Sequence, residues 1–500
     1  MKRALALVLI LLLALAGLAA AQTRGGTLTA AWAQEPVGLD PHITSAMSSY
    51  QVLENVIDNL ITLDAEQNIV PSLAHDWTVA DDGLTVTFHL REGIQFSNGK
   101  PMTAADAKAS LDRLIDPETG SGNAWRMAGV VDIAAPDATT LVLTLDGPNP
   151  GLLGHLASSK ALGVFDVAGV ADGSINTRPV GTGPFMISDF QAGTRVLLER
   201  NPFYWRDGLP YLDAVDIRII GDENVRRSAL VTGEIDWAFW VPAQAVAELD
   251  ARPDVVIDSV PAGQYYYIGV NMTEGPLADQ RVRQAISFAV NRDNVVAAAE
   301  FGLAQVTQDP IPSTSAWAFG YAPYGYDPAR ARELLAAAGY PNGFEMEIMP
   351  TTFVEASIRA AQVIQADLAA VGIRATIRTL EWAEWLQEQG EGNYDTYVCS
   401  WNGLVDPDDF YYAQHRTGEV FNFTGYSNPT VDSLLDEARL VTDFDERKAI
   451  YAQVNQAIVD DAPYIYLYNE LWTHGYRPYV RGFGARSDQA VRFVETWLDR

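Results

Sequence analysis

The feature that most constrains the fold is a predicted strand that runs directly into a predicted helix at the middle of the 500-residue chain. Residues 265–270 are mostly aromatic or β-branched, which is typical of a buried strand. After a Gly-Pro turn, apolar residues recur at the spacing of a helix with one core-facing side: Val282, Ala285, Ile286, Ala289 and Val290. Asp279 precedes them and suits the N-cap position. Because a strand that feeds such a helix begins a new α/β layer, residues 264–296 are predicted to cross from one lobe to another.

The N-terminus has the pattern of a secretory signal peptide. Lys2 and Arg3 precede an apolar run at residues 4–18, and three alanines at residues 19–21 offer a cleavage site. A run of about fifteen apolar residues is too short to span a bilayer comfortably, which takes about twenty. We therefore predict export with cleavage near Ala21, the alternative being an uncleaved anchor.

The composition restricts partners and compartment. The formal net charge is −30, and the chain lacks the clustered Lys and Arg that a nucleic-acid-binding surface needs. Cys399 is the single cysteine, so the chain can form no intramolecular disulfide and carries no lipid-bearing cysteine at the predicted cleavage site. These observations predict a free exported protein without a lipid anchor.

Strands and helices alternate along the rest of the chain. Residues 77–90 are predicted as a hairpin around an Asp-Gly turn, followed by a helix that Thr103 caps. Beyond the crossover, Asp327 and Asn428 each precede a proline and a predicted helix. Residues 344–377 are predicted as a strand, a helix and a strand on a second sheet. This alternation indicates an α/β layer architecture.

Three stretches of the sequence resemble one protein family. They are the run RVRQAISFAVNRDNVV with Asn271, Pro276 and Asp279 before it, the block at residues 72–114, and the run RNPFYWRDGLPYLD at residues 200–213. All three are similar to the extracytoplasmic solute-binding proteins that serve peptide, nickel and related ABC importers. The resemblance extends from Gly25 to the C-terminus.

The resemblance implies both an architecture and a role. The expected fold is α/β, a two-lobed periplasmic-binding-protein clamp of type II with an extra subdomain inserted in the first lobe. The expected division is lobe I at residues 22–46, 178–262 and 472–500, the inserted subdomain at residues 47–177, and lobe II at residues 263–471. Such a protein is a periplasmic monomer without a cofactor. It closes about a hinge, expected near residues 266–271 and 468–472, and delivers a small solute to an ABC permease at the inner membrane.

The most pocket-like stretch is SWNGLVDPDDFYY at residues 400–412. A predicted strand ends there in a loop rich in Gly, Asp and Pro, which is where open α/β sheets bind ligands. Trp401 offers a stacking face, and Asn402 and Asp406 offer polar groups. The competing interpretation is a capped turn whose aspartates bond local amides. A calcium site is weakly supported, because the spacing matches no known loop.

In the resembling family this loop contacts the ligand, and peptide-binding members carry an aspartate three residues after the tryptophan, where it pairs with the peptide's ammonium. Here that position is Leu404. A buried ammonium without a carboxylate is costly. Either Asp406 substitutes for the missing aspartate or the ligand lacks that charge.

Other candidate ligand-binding residues lie at or near predicted loops, and each tryptophan among them is alternatively a core residue. They are Trp32, Glu35, Trp125, Trp240, Trp382 and Asn422.

Enzymatic signatures are missing from the sequence. The six histidines are scattered, and the glycines near Lys100 and at residues 181–183 do not match nucleotide-binding motifs. The sequence therefore predicts a binding protein for a small solute, most simply a peptide. The alternatives are an oligosaccharide or opine-like ligand, a nickel role by family analogy and, more remotely, a secreted hydrolase using two carboxylates.

Overall fold

The computed structural model describes residues 22–44, 46–158, 160–352, 354–403 and 406–500. The predicted signal peptide at residues 1–21 and the candidate residue Leu404 lie outside the described residues. Within the ranges given, no helix is both long enough and apolar enough to cross a bilayer.

The strands of the described residues have the following bounds in chain order: β1 (Thr27–Trp32), β2 (Ile61–Leu63), β3 (Ile69–Pro71), β4 (Ala74–Val79), β5 (Thr85–Leu90), β6 (Val130–Ala134), β7 (Thr140–Leu145), β8 (Phe185–Gln191), β9 (Arg195–Arg200), β10 (Ala214–Ile219), β11 (Trp237–Ala238), β12 (Val256–Val270), β13 (Ala304–Val306), β14 (Glu345–Pro350), β15 (Arg374–Ile377), β16 (Thr396–Asn402), β17 (Tyr464–Tyr476), β18 (Val480–Arg481) and β19 (Trp497–Leu498). Eleven of them form one mixed sheet in the order β15-β14-β16-β12-β17-β11-β1-β10-β9-β8, with β13 beside β17.

The α-helices are α1 (Met47–Leu53), α2 (Ala104–Ile115), α3 (Gly151–Ser158), α4 (Glu223–Thr232), α5 (Ala243–Asp250), α6 (Gln280–Ala289), α7 (Arg292–Ala299), α8 (Pro328–Ala337), α9 (Glu355–Ala369), α10 (Trp382–Glu391), α11 (Asp408–His415), α12 (Pro429–Ala438) and α13 (Phe444–Asp461). Short 3₁₀ helices lie at Pro117–Thr119, Ala124–Met127, Lys160–Leu162, Val167–Val170, Ser174–Asn176 and Pro276–Ala278.

Lobe I is built on β1, which lies between β10 and β11 and is parallel to both. Leu28 and Ala30 of β1 point into an apolar core, as their alternation in the sequence requires. The C-terminal segment supplies Phe493 and Leu498 to the same core. The end of the chain therefore packs on its beginning.

The inserted subdomain has its own sheet and its own core. Its strands pair in the order β4-β5-β7-β6, and β2 and β3 form a separate hairpin. Thr103 and Asp106 form a reciprocal capping box at the start of α2, which confirms the predicted cap. Phe88, Leu111 and Leu141 are fully buried between this sheet and its helices.

The crossover between the lobes consists of β12 and β17. The two strands pair along their lengths, and each runs through both lobes. Lobe II therefore shares one continuous sheet with lobe I. The prediction of a separate second sheet is wrong. The pairing is irregular between Pro261 and Tyr265, opposite residues 469–471, and again at Tyr266. On β12, the first irregularity lies just before the hinge segment predicted at residues 266–271. On β17, it lies within the hinge segment predicted at residues 468–472.

Lobe II confirms the helix predicted at mid-chain. Asp279 accepts a hydrogen bond from the backbone N–H of Arg281 (2.9 Å) at the start of α6. The five residues of its predicted apolar face are fully buried: Val282, Ala285, Ile286, Ala289 and Val290. Asp327 and Asn428 cap α8 and α12 as expected. The strand-helix-strand unit is present as β14, α9 and β15, with the two strands parallel.

Candidate functional site

Two sets of strands end where the lobes meet. In lobe I, β1 and β11 are parallel, and in lobe II β14 is parallel to both β15 and β16. The end of β16 at Asn402 pairs with Gln264, beside the irregular part of the crossover. Val241, just after β11, donates its N–H to the carbonyl of Thr473 in β17 (2.9 Å). The carboxyl ends of both sets therefore border one cleft, the place where open α/β sheets bind ligands.

Three predicted side chains lie at or after the strand ends in lobe II: Trp401 and Asn402 end β16, and Trp382 begins α10 after β15. Trp401 is half-buried, and its indole N–H donates to the carbonyl of Asp409 (3.2 Å). Trp382 stacks on Trp385 with ring centroids 5.2 Å apart. Asn402 is exposed. These groups offer aromatic faces and one amide at the edge of the cleft.

Trp240 combines exposure with a strained backbone on the lobe I side. Its side chain is 44% exposed, and its φ is +47°, in the left-handed region that bulky residues rarely adopt. Its ring packs against that of Trp472 at 5.6 Å. Backbone strain of this kind tends to persist at ligand sites.

Three other predicted residues use their polar groups within the protein. Trp32 is 1% exposed and donates its indole N–H to Gln51 (2.8 Å). Glu35 accepts a hydrogen bond from the backbone N–H of Gly193. The side-chain amide of Asn422 bonds the backbone of Tyr426 as both donor and acceptor. Trp32 thus lies in the lobe I core, and the other two fix loops.

The first two aspartates of the DPDD run are held by arginines. Asp406 is buried and accepts two hydrogen bonds from Arg447, at 2.5 and 2.7 Å. Burial alone would raise the pKa of Asp406, but the charge of Arg447 outweighs it, and the pKa lies below its ordinary value. Asp408 pairs with Arg439 at 2.9 Å. Burial and the nearby Asp406 raise the pKa of Asp408. Neither carboxylate is free for a ligand.

Asp409, the third aspartate of the run, differs from both. It lies in the first turn of α11, and its Oδ2 is shut off from water without a hydrogen-bond partner among the described residues. Nε2 of His155 lies 3.9 Å from its Oδ1. Asp409 therefore presents an acceptor that the protein itself leaves unused.

The inserted subdomain places two unpaired nitrogen atoms opposite Asp409. His155 of α3 bonds the carbonyl of Arg126 through Nδ1 (3.1 Å), while its Nε2 has no hydrogen-bond partner in the described structure. The Nη1 of Arg126 is equally unpaired and buried. Its guanidinium lies over the ring of Trp125 at 4.5 Å, and that ring is 53% exposed. Burial lowers the pKa of Arg126, with the charge of Asp409 acting against this.

A cavity of about 400 Å³ lies between these two walls. Trp125 and His155 line it from the subdomain, and Asp408 and Asp409 line it from lobe II. Leaving a buried polar group without a partner costs about 1–3 kcal/mol, so three such groups favour a solute that supplies the missing bonds. The arrangement suits a small molecule with an ammonium for Asp409 and His155 and an oxygen acceptor for Arg126, which is adjacent to the lining residue Trp125.

Sequence reasoning did not select Arg126, His155 or Asp409. The sequence gives no reason to prefer Asp409 over the other two aspartates of the DPDD run. The signal that could have found Arg126 is its position next to Trp125, which was predicted. His155 had no signal, because Arg126 and Asp409, the residues it meets in the site, are distant from it in sequence. Among the described residues, no cluster of three or more His, Cys, Asp or Glu side chains is placed to hold a metal ion.

Comparison with known proteins gives a consistent result. The family model of the bacterial extracellular solute-binding proteins, family 5, middle part, matches residues 68–422. The glutathione-binding protein GsiB of Escherichia coli strain K12 is 31% identical over 471 residues, 92% of each chain.

Two solved structures share the fold. The periplasmic binding protein DppA from Helicobacter pylori, in complex with the peptide STSA, is 29% identical with a TM-score of 0.75, covering 96% of this chain and 99% of its own. The protein AgaA from A. tumefacien R10, in complex with agropinic acid, is 27% identical with a TM-score of 0.72, covering 95% and 99%.

Proposed function

Because the chain belongs to the family 5 bacterial extracellular solute-binding proteins, we propose that it is the binding component of an ABC importer and that it captures a peptide. The predicted α/β two-lobed architecture is that of its relatives. The peptide binds in the cavity of about 400 Å³ between the subdomain and lobe II. It is then delivered to a permease in the inner membrane.

The observation that carries the proposal is the unequal state of the three aspartates. Asp406 is occupied by Arg447 in two hydrogen bonds, so it does not replace the missing aspartate at position 404. Asp409 has an unpaired oxygen and faces the subdomain. We assign the peptide's ammonium to Asp409, because a buried ammonium needs a carboxylate partner.

Two nitrogen atoms opposite Asp409 complete the site. Nη1 of Arg126 would donate to a carboxylate or carbonyl oxygen of the same ligand, and Nε2 of His155 would accept a hydrogen bond from one of its N–H groups. Trp125 would cover the ligand from the subdomain, and Trp401 would do so from lobe II. Trp240, Trp382 and Asn402 remain in the proposed ligand set near the strand ends, and Leu404 remains in it from the resemblance of the sequence alone.

Binding is coupled to movement of the lobes in this proposal. A solute that contacts both the subdomain and lobe II binds the closed form more tightly than the open form. It therefore shifts the equilibrium toward the closed form, by the difference between its two affinities. The irregular pairing of β12 with β17 is the place where the strands can bend. We further propose that the chain is exported with cleavage near Ala21, stays free of the membrane, acts as a monomer and catalyses no reaction.

An opine-like ligand is the second candidate, because AgaA was solved with agropinic acid and is similar over nearly the whole chain. Such a ligand carries carboxylate and amine groups for Arg126 and Asp409. An oligosaccharide offers neither charge.

The test is mass spectrometry of the small molecule that the protein retains when purified without refolding and then denatured. Peptides support the proposal. An opine supports the second candidate, and a sugar contradicts the role given to Asp409 and Arg126. Incubation of the released peptides with fresh protein should return them unchanged, whereas shortened peptides would establish a hydrolase.

A further inference from the structure

One residue of the hairpin β2–β3 has an unexpected conformation. Asp64 and Asn68 close its three-residue loop, with the N–H of Asp64 bonded to the carbonyl of Asn68 (3.0 Å). Gln67, the last loop residue, has φ +66°. Three-residue hairpin loops usually place a residue in this left-handed region at that point, and glycine adopts it without cost. The chain therefore keeps a side chain at Gln67 where none is needed for the turn.

The side chain of Gln67 is also buried, although it lies at the tip of a loop. Gln67 is 6% exposed, while its neighbours Glu66 and Asn68 are exposed. Its Nε2 has no hydrogen-bond partner within the described ranges. A buried amide that donates to nothing costs free energy. Strain and an unused donor thus coincide in one residue.

Gln67 lines a cavity of about 290 Å³ between the subdomain and lobe II. Most of the lining is apolar, with Ile69 and Leu153 from the subdomain and Trp317 and Phe444 from lobe II. Asp406 and Arg447 line both this cavity and the cavity at Asp409. The two cavities therefore adjoin at the Asp406–Arg447 pair.

We propose that this cavity is a second subsite, which takes an apolar side chain of the bound peptide while Gln67 donates its amide N–H to a carbonyl oxygen of that peptide. The inference rests on the proposed function, because the peptide must first be held at Asp409 to reach past the Asp406–Arg447 pair. The apolar lining selects an aliphatic or aromatic residue, and the single donor fixes the peptide backbone beside it.

The variant Gln67→Gly separates this role from a structural one. Glycine relieves the left-handed conformation at Gln67 and adds freedom to the unfolded chain, and these two effects on stability oppose each other. The peptide, however, loses its donor. Stability and affinity are thus expected to respond differently.

Gln489→Gly is the matched control. Gln489 has φ +61° and is also 6% exposed, and it lies in the C-terminal segment outside both cavities. Its replacement has the same backbone consequences without touching the subsite.

The experiment is calorimetric titration of the wild type and both variants with tri-alanine and with the three tripeptides that carry one leucine, beside melting curves of the free proteins. For the wild type, one leucine tripeptide should bind about tenfold more tightly than tri-alanine. Gln67→Gly should weaken that binding about five- to tenfold, with no loss of melting temperature beyond that of Gln489→Gly, which should bind as the wild type does.

Three results would overturn the subsite while leaving the proposed function intact. They are wild-type affinity in Gln67→Gly, an equal loss of affinity in both variants, and no tighter binding of any leucine tripeptide than of tri-alanine. A wild type that binds none of the four peptides would contradict the proposed function itself.

Discussion

The inserted subdomain has two faces that differ in how their charged groups are paired, while Nε2 of Gln51 toward lobe I also lacks a partner among the described residues. Toward lobe I, Arg492 donates to Glu54 (2.8 Å) and to the carbonyl of Leu63 (3.1 Å). Lys160 lies beside the same Glu54 carboxylate at 3.5 Å and donates to Asn59 (3.2 Å). Toward lobe II, Arg126, His155, Asp409 and Gln67 each keep a buried polar atom without a partner among the described residues.

The difference indicates which interface is permanent. A buried charge network with its bonds made holds the subdomain on lobe I, and loss of one partner there would be costly. Buried charged groups without a partner cost free energy that a ligand can recover. We therefore assign the lobe I face to structure and the lobe II face to the ligand. Mutations should follow this division.

The largest effect is expected at the lobe I face, for Arg492→Met. Removal of this guanidinium leaves Glu54 buried with only the more distant Lys160. The free energy of unfolding, measured by urea denaturation, should fall by about 3–5 kcal/mol, while peptide affinity of the folded protein stays unchanged.

Arg227→Met is the matched control, because Arg227 and Glu248 form an exposed ion pair with the same 2.8 Å separation. It should cost less than about 1 kcal/mol. Equal costs for the two variants would remove the basis for calling the lobe I face a structural network.

At the lobe II face, Asp409→Asn should weaken binding of the peptide about ten- to a hundredfold, because a charge-assisted hydrogen bond is lost. Stability should not fall, since the protein itself gives Oδ2 no partner. Titration calorimetry and urea denaturation measure the two effects.

Asp293→Asn makes the same change in the first turn of α7 at an exposed position. The control should bind as the wild type does. If Asp409→Asn also binds normally, or if it loses several kcal/mol of stability, Asp409 belongs with the structural carboxylates.

The smallest effect is an acid response at the lobe I face. Burial would raise the pKa of Asp488, but Arg486 and Arg492 outweigh it and hold the pKa below its ordinary value. A carboxyl with a depressed folded-state pKa stabilises the protein above its unfolded pKa, and this stability is lost as pH falls through the folded pKa.

The difference in unfolding free energy between wild type and Asp488→Asn should therefore shrink by about 1 kcal/mol between about pH 6 and about pH 3. Urea denaturation at both pH values measures it. If the difference in unfolding free energy is the same at both pH values, Arg486 and Arg492 do not lower the pKa of Asp488 in the folded protein.

Local features of the fold could be predicted from the sequence because they depend on near neighbours. The caps at Asp279, Asp327 and Asn428 each need one side chain and an adjacent amide, and the buried face of α6 needs only helical spacing. The resemblance to the family supplied the order of the larger parts.

The candidate site depends on contacts between distant residues, which spacing does not encode. Asp406 meets Arg447 across 41 positions, and this pairing alone distinguishes it from Asp409 three residues later. Trp32 ends β1 and Trp240 follows β11, both in lobe I, yet Trp32 is buried and Trp240 is exposed. Which side chain stays unpaired is decided by packing between lobes.

The central claim is that ligand binds at the lobe II face of the subdomain. Its most direct test is hydrogen exchange of backbone amides with and without saturating ligand, using tri-alanine and glutathione separately. Binding should slow exchange at Ala124–Met127, Gly151–Ser158 and Asp408–His415, and leave residues 480–496 unchanged. Slower exchange confined to residues 480–496 and to the other residues that line the neighbouring cavity of about 660 Å³ would contradict the account.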